Sequence, residues 1–497
     1  MSALQPTEKS GHYQDTAPQT PAARSSDSVT IINEDLLDQK HLRSHLETFY
    51  HIAQTTANSR SVRKGFRETA DYVFNLLESQ KACDTLETQW FKSPVWTEHR
   101  PARLSMSYPY WASYQNGVDF KSMRYGGSGS TYLPNSRVIP VRSGGCDPKH
   151  YDAEAKGAVV VMQETSACTF WEAAYTAEQV GVAAVLFFGQ PSRRRLLNHR
   201  IRLVGWKEGD PLVKIPVLAV SYAVGRMLSF TPNARVNIVT SAAISIEKTF
   251  NILCQWDAPQ VNDTIVIGSH LDSVAAGPGI NDNGSGSATT LETLLALRRS
   301  GFQPTNRLVF AWWSAEEDGL LGSRHFVRSL HSTPADSDQP TPAPGHLKFS
   351  LTWDQISFNL NFDMLASPNY IPMVHRASDA PADVTIGSYF VQKEFETFFQ
   401  GRGYPYMLSD MKGGSDFVPF MEHGVPTGGI LTGAAEIKTE AERKKFGGLA
   451  NAPLDPCYHQ ACDTVDNINW EALYRMSEAA AHVIRVFAGA DDVRLQA

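Results

Sequence analysis

From Phe250 onward the chain alternates short apolar runs with segments of helical period, and no other feature constrains the fold as tightly. Thr264 to Ser269, Arg307 to Trp313 and Phe358 to Phe362 read as strands, while Ala288 to Leu297 and Gly322 to Leu330 read as helices. Repeated strand-then-helix texture predicts an α/β fold, with a mixed, largely parallel sheet and helices on both faces. Ligands of such open sheets gather beyond the carboxyl ends of the strands. His270, Glu316, Glu317 and Asp363 all stand at those ends.

Their chemistry is that of a metal site. The apolar run ending at Ser269 gives way to His270, and imidazole is a common ligand of a borderline cation such as zinc. Asp272, two residues on, is the candidate group to orient that ring. Asp282 sits in the Gly-rich loop Gly277 to Gly286, where a carboxylate can approach two cations at once; its charge, with no Lys following, argues against a phosphate loop. Glu316 and Glu317 are adjacent acids at a strand end, so one can ligate while the other serves as general base. The same acids would also suit a helix N-terminus, so their weight comes from the set. Asp363 closes the next strand, and His459 lies between Cys457 and Cys462 beside Tyr458, whose phenol can donate to a developing oxyanion. Two divalent cations about 3.5–4 Å apart, held by three carboxylates and two imidazoles, can polarise a carbonyl and generate a nucleophile near neutral pH.

The remaining sequence frames this site. At 497 residues the chain exceeds one ordinary core, so two domains are expected. Residues 1–30 are polar and read as disordered. Residues 31–130 together with 242–490 are expected to form the larger domain. Helical periodicity runs from Ile31 to Glu78, strands are expected at Thr85 to Trp90 and Arg103 to Ser107, and Tyr125 to Ser130 reads as a linker. Residues 131–241 are a strand-rich block with one helix, Phe170 to Val180, and read as a small inserted domain.

Composition excludes several classes. There is no polybasic stretch for nucleic acid and no apolar run long enough to span a membrane, and the formal net charge is only -7. The start of the chain lacks the apolar stretch of roughly 7–15 residues that a secretory signal needs, which leaves the compartment undecided. Six cysteines are too few for a disulfide scaffold. Cys457 with Cys462, and Cys146 with Cys168, are close enough in sequence to pair, with reduced buried thiols as the alternative; Cys83 and Cys254 have no evident partner.

Two resemblances follow from these motifs. Lys156 to Gln163, Cys168-Thr-Phe, the Ala-rich helix ending at Gly181 and Ile215-Pro216-Val-Leu-Ala resemble the protease-associated domain, which in related proteins bears on substrate access or partner contacts. The metal motifs, with Gly413-Gly-Ser-Asp416-Phe-Val-Pro-Phe420 and the loop Lys438 to Pro456, resemble the secreted di-zinc aminopeptidases, over roughly residues 245–485. That resemblance implies a zinc exopeptidase fold with two zinc ions per chain, one on His270, Asp282 and Asp363, the other on Asp282, Glu317 and His459. It also implies Glu316 as base, Tyr458 as carbonyl-polarising donor, a cis peptide at Asp282-Asn283 and secretion. The implied substrates are peptides with a free N-terminus, their first residue large and neutral such as Leu, Phe or Met. One departure is Gly414, where relatives often carry an Arg that helps bind substrate.

Glutamate carboxypeptidase and the transferrin receptor belong to the same clan and supply the rival readings. A carboxypeptidase would need a basic pocket and usually a further helical domain, although only some 35 residues follow Cys462. An inactive receptor-like protein is disfavoured because every ligand and the base are present.

Overall fold

The computed structural model describes residues 36–127, 129–191, 201, 206–331, 350–411, 414–491 and 493. The disorder expected for residues 1–30 lies outside them.

The alternation read from the sequence becomes a mixed sheet. Its larger part runs, from one edge, through Met407–Ser409, Met373–His375, Thr427–Leu431, Ile356–Phe362, Gln260–His270, Asn306–Trp313, Arg235–Trp256 and Thr85–Tyr108. The four strands from Thr427–Leu431 to Asn306–Trp313 are mutually parallel. Every residue of Asn306–Trp313 and Ile356–Phe362 is buried, as expected for parallel strands covered on both faces. On one face the helices Gln39–Thr55, Phe66–Ser79, Gly286–Arg299, Thr385–Gly401 and Trp470–Gly489 share a core with Ile252, Ile265, Phe310, Phe358 and Leu360. Leu321–His331 covers the other face through Phe326 and Val327, which pack with Val266, Val309 and Trp313.

Register aligns the functional loops. His270 stands opposite Trp313 and Gly268 opposite Asn361, so the turns after these three strands open at one edge.

Two expectations need correction. The separate strands at 85–90 and 103–107 are one strand of 24 residues, Thr85–Tyr108, paired along almost its whole length with Arg235–Trp256. Both strands run out of the larger core into a smaller one, where Ala102, Leu104 and Met106 join Phe120, Val161, Leu186, Leu218 and Ile238. The smaller core therefore also draws on residues before 131. Nor is Tyr125 to Ser130 a free linker at its described positions: Tyr125 is 1% exposed, and Gly129 opens the strand Gly129–Val141. Gly and Ser permit a linker, but the buried Tyr125 ring anchors the segment in the core.

Three cysteine pairs stand at disulfide distance: Cys83–Cys254, Cys146–Cys168 and Cys457–Cys462. Among the described residues no helix is long and apolar enough to cross a membrane.

Candidate metal centre

The five ligand candidates converge as two groups that share Asp282. In the first, His270 Nε2 lies 3.4 Å from Asp282 Oδ1 and 3.3 Å from Asp363 Oδ1. In the second, His459 Nε2 lies 3.0 Å from Asp282 Oδ2 and 3.2 Å from Glu317 Oε1. Each oxygen of the Asp282 carboxylate thus faces a different group. Glu316 belongs to neither, and its Oε2 stands 4.0 Å from His270 Nε2. The His270 side chain is 1% exposed, against 19% for Asp363 and 30% for His459, so the site opens on the side of the latter two.

Backbone geometry aims these groups. Ala315, Met364 and His459 adopt positive φ of 57°, 55° and 59°, values that side chains larger than glycine reach only under constraint. The peptide between Asp282 and Asn283 is cis. The Asn283 side chain donates to Phe362 O at 2.8 Å and accepts from the N–H groups of Gly286 and Met364, tying the Asp282 loop to the strand end that carries Asp363. Ser415 Oγ donates to Asp363 Oδ2 at 2.6 Å and accepts from Asn361 Nδ2.

Asp272 acts otherwise than expected. Its backbone carbonyl, 3.1 Å from His270 Nδ1, is what the ring meets; its carboxylate is 3.9 Å from that nitrogen. The carboxylate accepts instead the backbone N–H groups of Glu316 and Glu317, at 3.1 and 3.4 Å. It therefore positions the acid turn rather than the imidazole.

Sequence reading missed two supports. Asp463 accepts the N–H groups of Asn281 and Asp282 at 2.9 and 3.0 Å, doing for the Asp282 loop what Asp272 does for the acid turn. Arg60, between the first two helices, is fully buried and donates to Pro278 O at 2.8 Å, to Gly279 O at 2.5 Å and to Leu271 O. No motif marks it; only its long-range partners reveal it.

Charge decides what the site can hold. Burial alone would push the imidazoles down, yet Asp363 and Glu316 raise His270 well above its usual range, and Glu317 and Asp282 raise His459 to about 10. Burial opposes ionisation of Asp282 too, but the two histidines hold it below the ordinary carboxylate range. The cluster therefore draws in positive charge, which divalent cations on neutral imidazoles supply more effectively than protons. Among the described residues, Asp282 Oδ2 and Asp363 Oδ1 are buried carboxylate oxygens left without a hydrogen-bond donor, with an imidazole nitrogen 3.0 and 3.3 Å away. Nitrogen and oxygen donors with open lone pairs fit zinc.

The two remaining groups suit proton chemistry. Burial, opposed by His270 and reinforced by Glu317, Asp416 and Asp363, raises Glu316 well above the usual carboxylate range. The Tyr458 ring stacks on His459 at 3.8 Å between centroids. Burial and the surrounding acids push its phenol well up, so it remains a donor. Gly414 is exposed with φ of 130°, and a Cβ there would meet nothing within 4 Å, so the space next to Ser415 is open.

Comparison with known proteins shows the family. The sequence profile of peptidase family M28 matches residues 251–484, and that of the PA domain matches residues 135–228. The chain is similar to an aminopeptidase of Pseudomonas aeruginosa strain UCBPP-PA14, at 31% identity over 90% of this chain and 80% of the relative. It is similar to leucine aminopeptidase 2 of Trichophyton rubrum, at 30% identity over 85% and 78% of the two chains. Among solved structures, an aminopeptidase from Aneurinibacillus sp. strain AM-1 shares the fold with a TM-score of 0.68, covering 92% of this chain and 95% of the other at 18% identity.

Proposed function

The chain belongs to peptidase family M28, and on that premise we propose that it is an aminopeptidase that uses two zinc ions and Glu316 as general base to release single N-terminal residues from peptides. The observation that carries the reading is the pair of ligand groups sharing Asp282, with the Glu316 carboxylate beside them and outside both.

One ion would rest on His270, Asp282 and Asp363, the other on Asp282, Glu317 and His459. Two divalent cations held there would supply the polarisation of the scissile carbonyl and a water activated near neutral pH. Glu316 Oε takes the proton of the attacking water and returns it to the leaving amine. Tyr458 Oη donates to the oxygen on which negative charge develops. Asp363, on the open side of the site, and the buried Glu316 beside it hold the free amino group of the substrate. The preferred first residue is large and neutral, such as Leu, Phe or Met.

The test is Glu316→Gln, assayed on aminoacyl-nitroanilides with and without chelator. The variant should retain two zinc ions per chain while turnover falls about 10²–10⁴-fold. Near-normal turnover would refute the assignment. Blocking the N-terminus of a test peptide should abolish cleavage, whereas blocking the C-terminus should not.

A further inference from the structure

The turn that presents Glu316 and Glu317 is held from two sides. On the sheet side Asp272 accepts its backbone N–H groups. On the other, residues of the smaller domain grip Asp318, the third acid of the turn. Arg124 Nη2 donates to Asp318 Oδ1 at 2.7 Å, and Tyr125 Oη donates to the same oxygen. Asp318 is 5% exposed, so water and salt compete weakly for this contact.

Movement of Asp318 cannot stay local. The N–H groups of Gly319 and Leu320 both bond to Glu316 O, at 2.8 and 2.9 Å, which closes the turn on itself. Arg124 and Tyr125 are themselves fixed in the smaller domain. The Met123 N–H bonds to Val217 O and the Ile201 N–H to Arg124 O, while Met123, Tyr125, Val217 and Ile201 share one buried cluster. A continuous path of packed and hydrogen-bonded groups therefore links that core to the general base through one carboxylate.

We propose that Arg124 and Tyr125 are positioning residues for peptide hydrolysis: through Asp318 they hold the turn where Glu316 faces the reacting water and Glu317 its ion. The smaller domain is then a working part of the hydrolytic site. This deepens the function proposed above and rests on it.

The test uses the full-length, zinc-loaded protein and the variants Arg124→Met, Arg124→Lys, Tyr125→Phe, Asp318→Asn and the double variant Arg124→Met with Asp318→Asn. Arg124→Met should lower kcat about tenfold to 100-fold while KM stays within about twofold. Arg124→Lys should recover much of that loss, and the double variant should be no worse than its poorer single. A kcat within about twofold of wild type in a normally melting Arg124→Met protein overturns the proposal, as does simple additivity in the double variant. If Arg124→Met does not fold, Tyr125→Phe decides, because it keeps the packed ring and removes only the hydroxyl. An unchanged kcat there overturns the proposal, and a several-fold loss supports it. Zinc retention against a chelator separates this idea from its premise. Should wild type bind zinc yet cleave no aminoacyl-nitroanilide, the proposed function fails, while weaker zinc retention in Arg124→Met would still support positioning and equal retention would overturn it.

Discussion

Replacing Arg60 by Met tests whether a buried guanidinium holds the metal loops together. Burial pushes Arg60 down to about 10, with Asp463, Asp272, Asp282 and Glu317 offsetting part of the cost, so it remains a cation at neutral pH. Its three donors reach Leu271 O, adjacent to His270, and Pro278 O and Gly279 O in the Asp282 loop. Met fills similar space and makes none of these bonds. Gly279 O keeps the Gly284 N–H at 3.0 Å, so the main loss falls on Leu271 O and Pro278 O. Hydrogen bonds from a charged donor are worth about 1.5–3 kcal/mol each, and relief of the buried charge offsets part of their loss. The expected net cost is about 4 kcal/mol of folding stability. Zinc retention should weaken about tenfold to 100-fold, because both ligand-bearing segments lose their common tie. Arg60→Lys, with one compact head in place of a fork, should fall between. Denaturant unfolding of the zinc-loaded protein, with chelator competition in parallel, measures both effects. A stability change under about 1 kcal/mol with zinc retention unaltered would refute the reasoning.

Three further outcomes are expected. A Cβ at Gly277 would lie 2.0 Å from Gln460 O, so Gly277→Ala must push the His459 loop away from Asp282; turnover should drop at least about 10²-fold and zinc content should fall, and full activity would show that the loop contact is dispensable. Tyr458→Phe should lower kcat about 10²–10³-fold with zinc content and KM nearly unchanged, whereas a pure KM effect would place the phenol on the substrate ground state. His375, buried and pushed down from 6.5 to about 4 by desolvation, is accepted by the fold only when neutral. Above pH 6.5 both states hold it neutral; as pH falls toward 4 the unfolded chain gains a proton the folded one refuses, and stability falls by about 3 kcal/mol. His375→Gln should lose less stability than wild type over that interval, and identical acid slopes would discount the histidine.

Much of this protein was legible in one dimension because the relevant properties are local. Runs such as Leu308 to Trp313 are apolar throughout, which suits a strand buried on both faces, and the structure makes them one. His270, Asp282, Glu317, Asp363 and His459 advertise ligand chemistry by residue type at strand ends and constrained loops, and they come together in space. Cys457 and Cys462 pair across a separation of 5. What depends on the returning path of the chain could not be read that way. Cys83 and Cys254 are 171 positions apart and meet because the antiparallel pairing of Thr85–Tyr108 with Arg235–Trp256 brings the start of the first strand to the end of the second. Asp272 was visible as a useful acid, but whether its carbonyl or its carboxylate meets His270 depends on where the acid turn lies. Arg60, Asp463 and Arg124 carry no local signature at all. Identity and period are properties of neighbouring residues, so the buried parallel strands, the candidate donors and the class of chemistry can be read along the chain. Which groups hold those donors in place depends on distant backbone N–H and carbonyl groups brought within bonding reach, and that emerges with the folded chain.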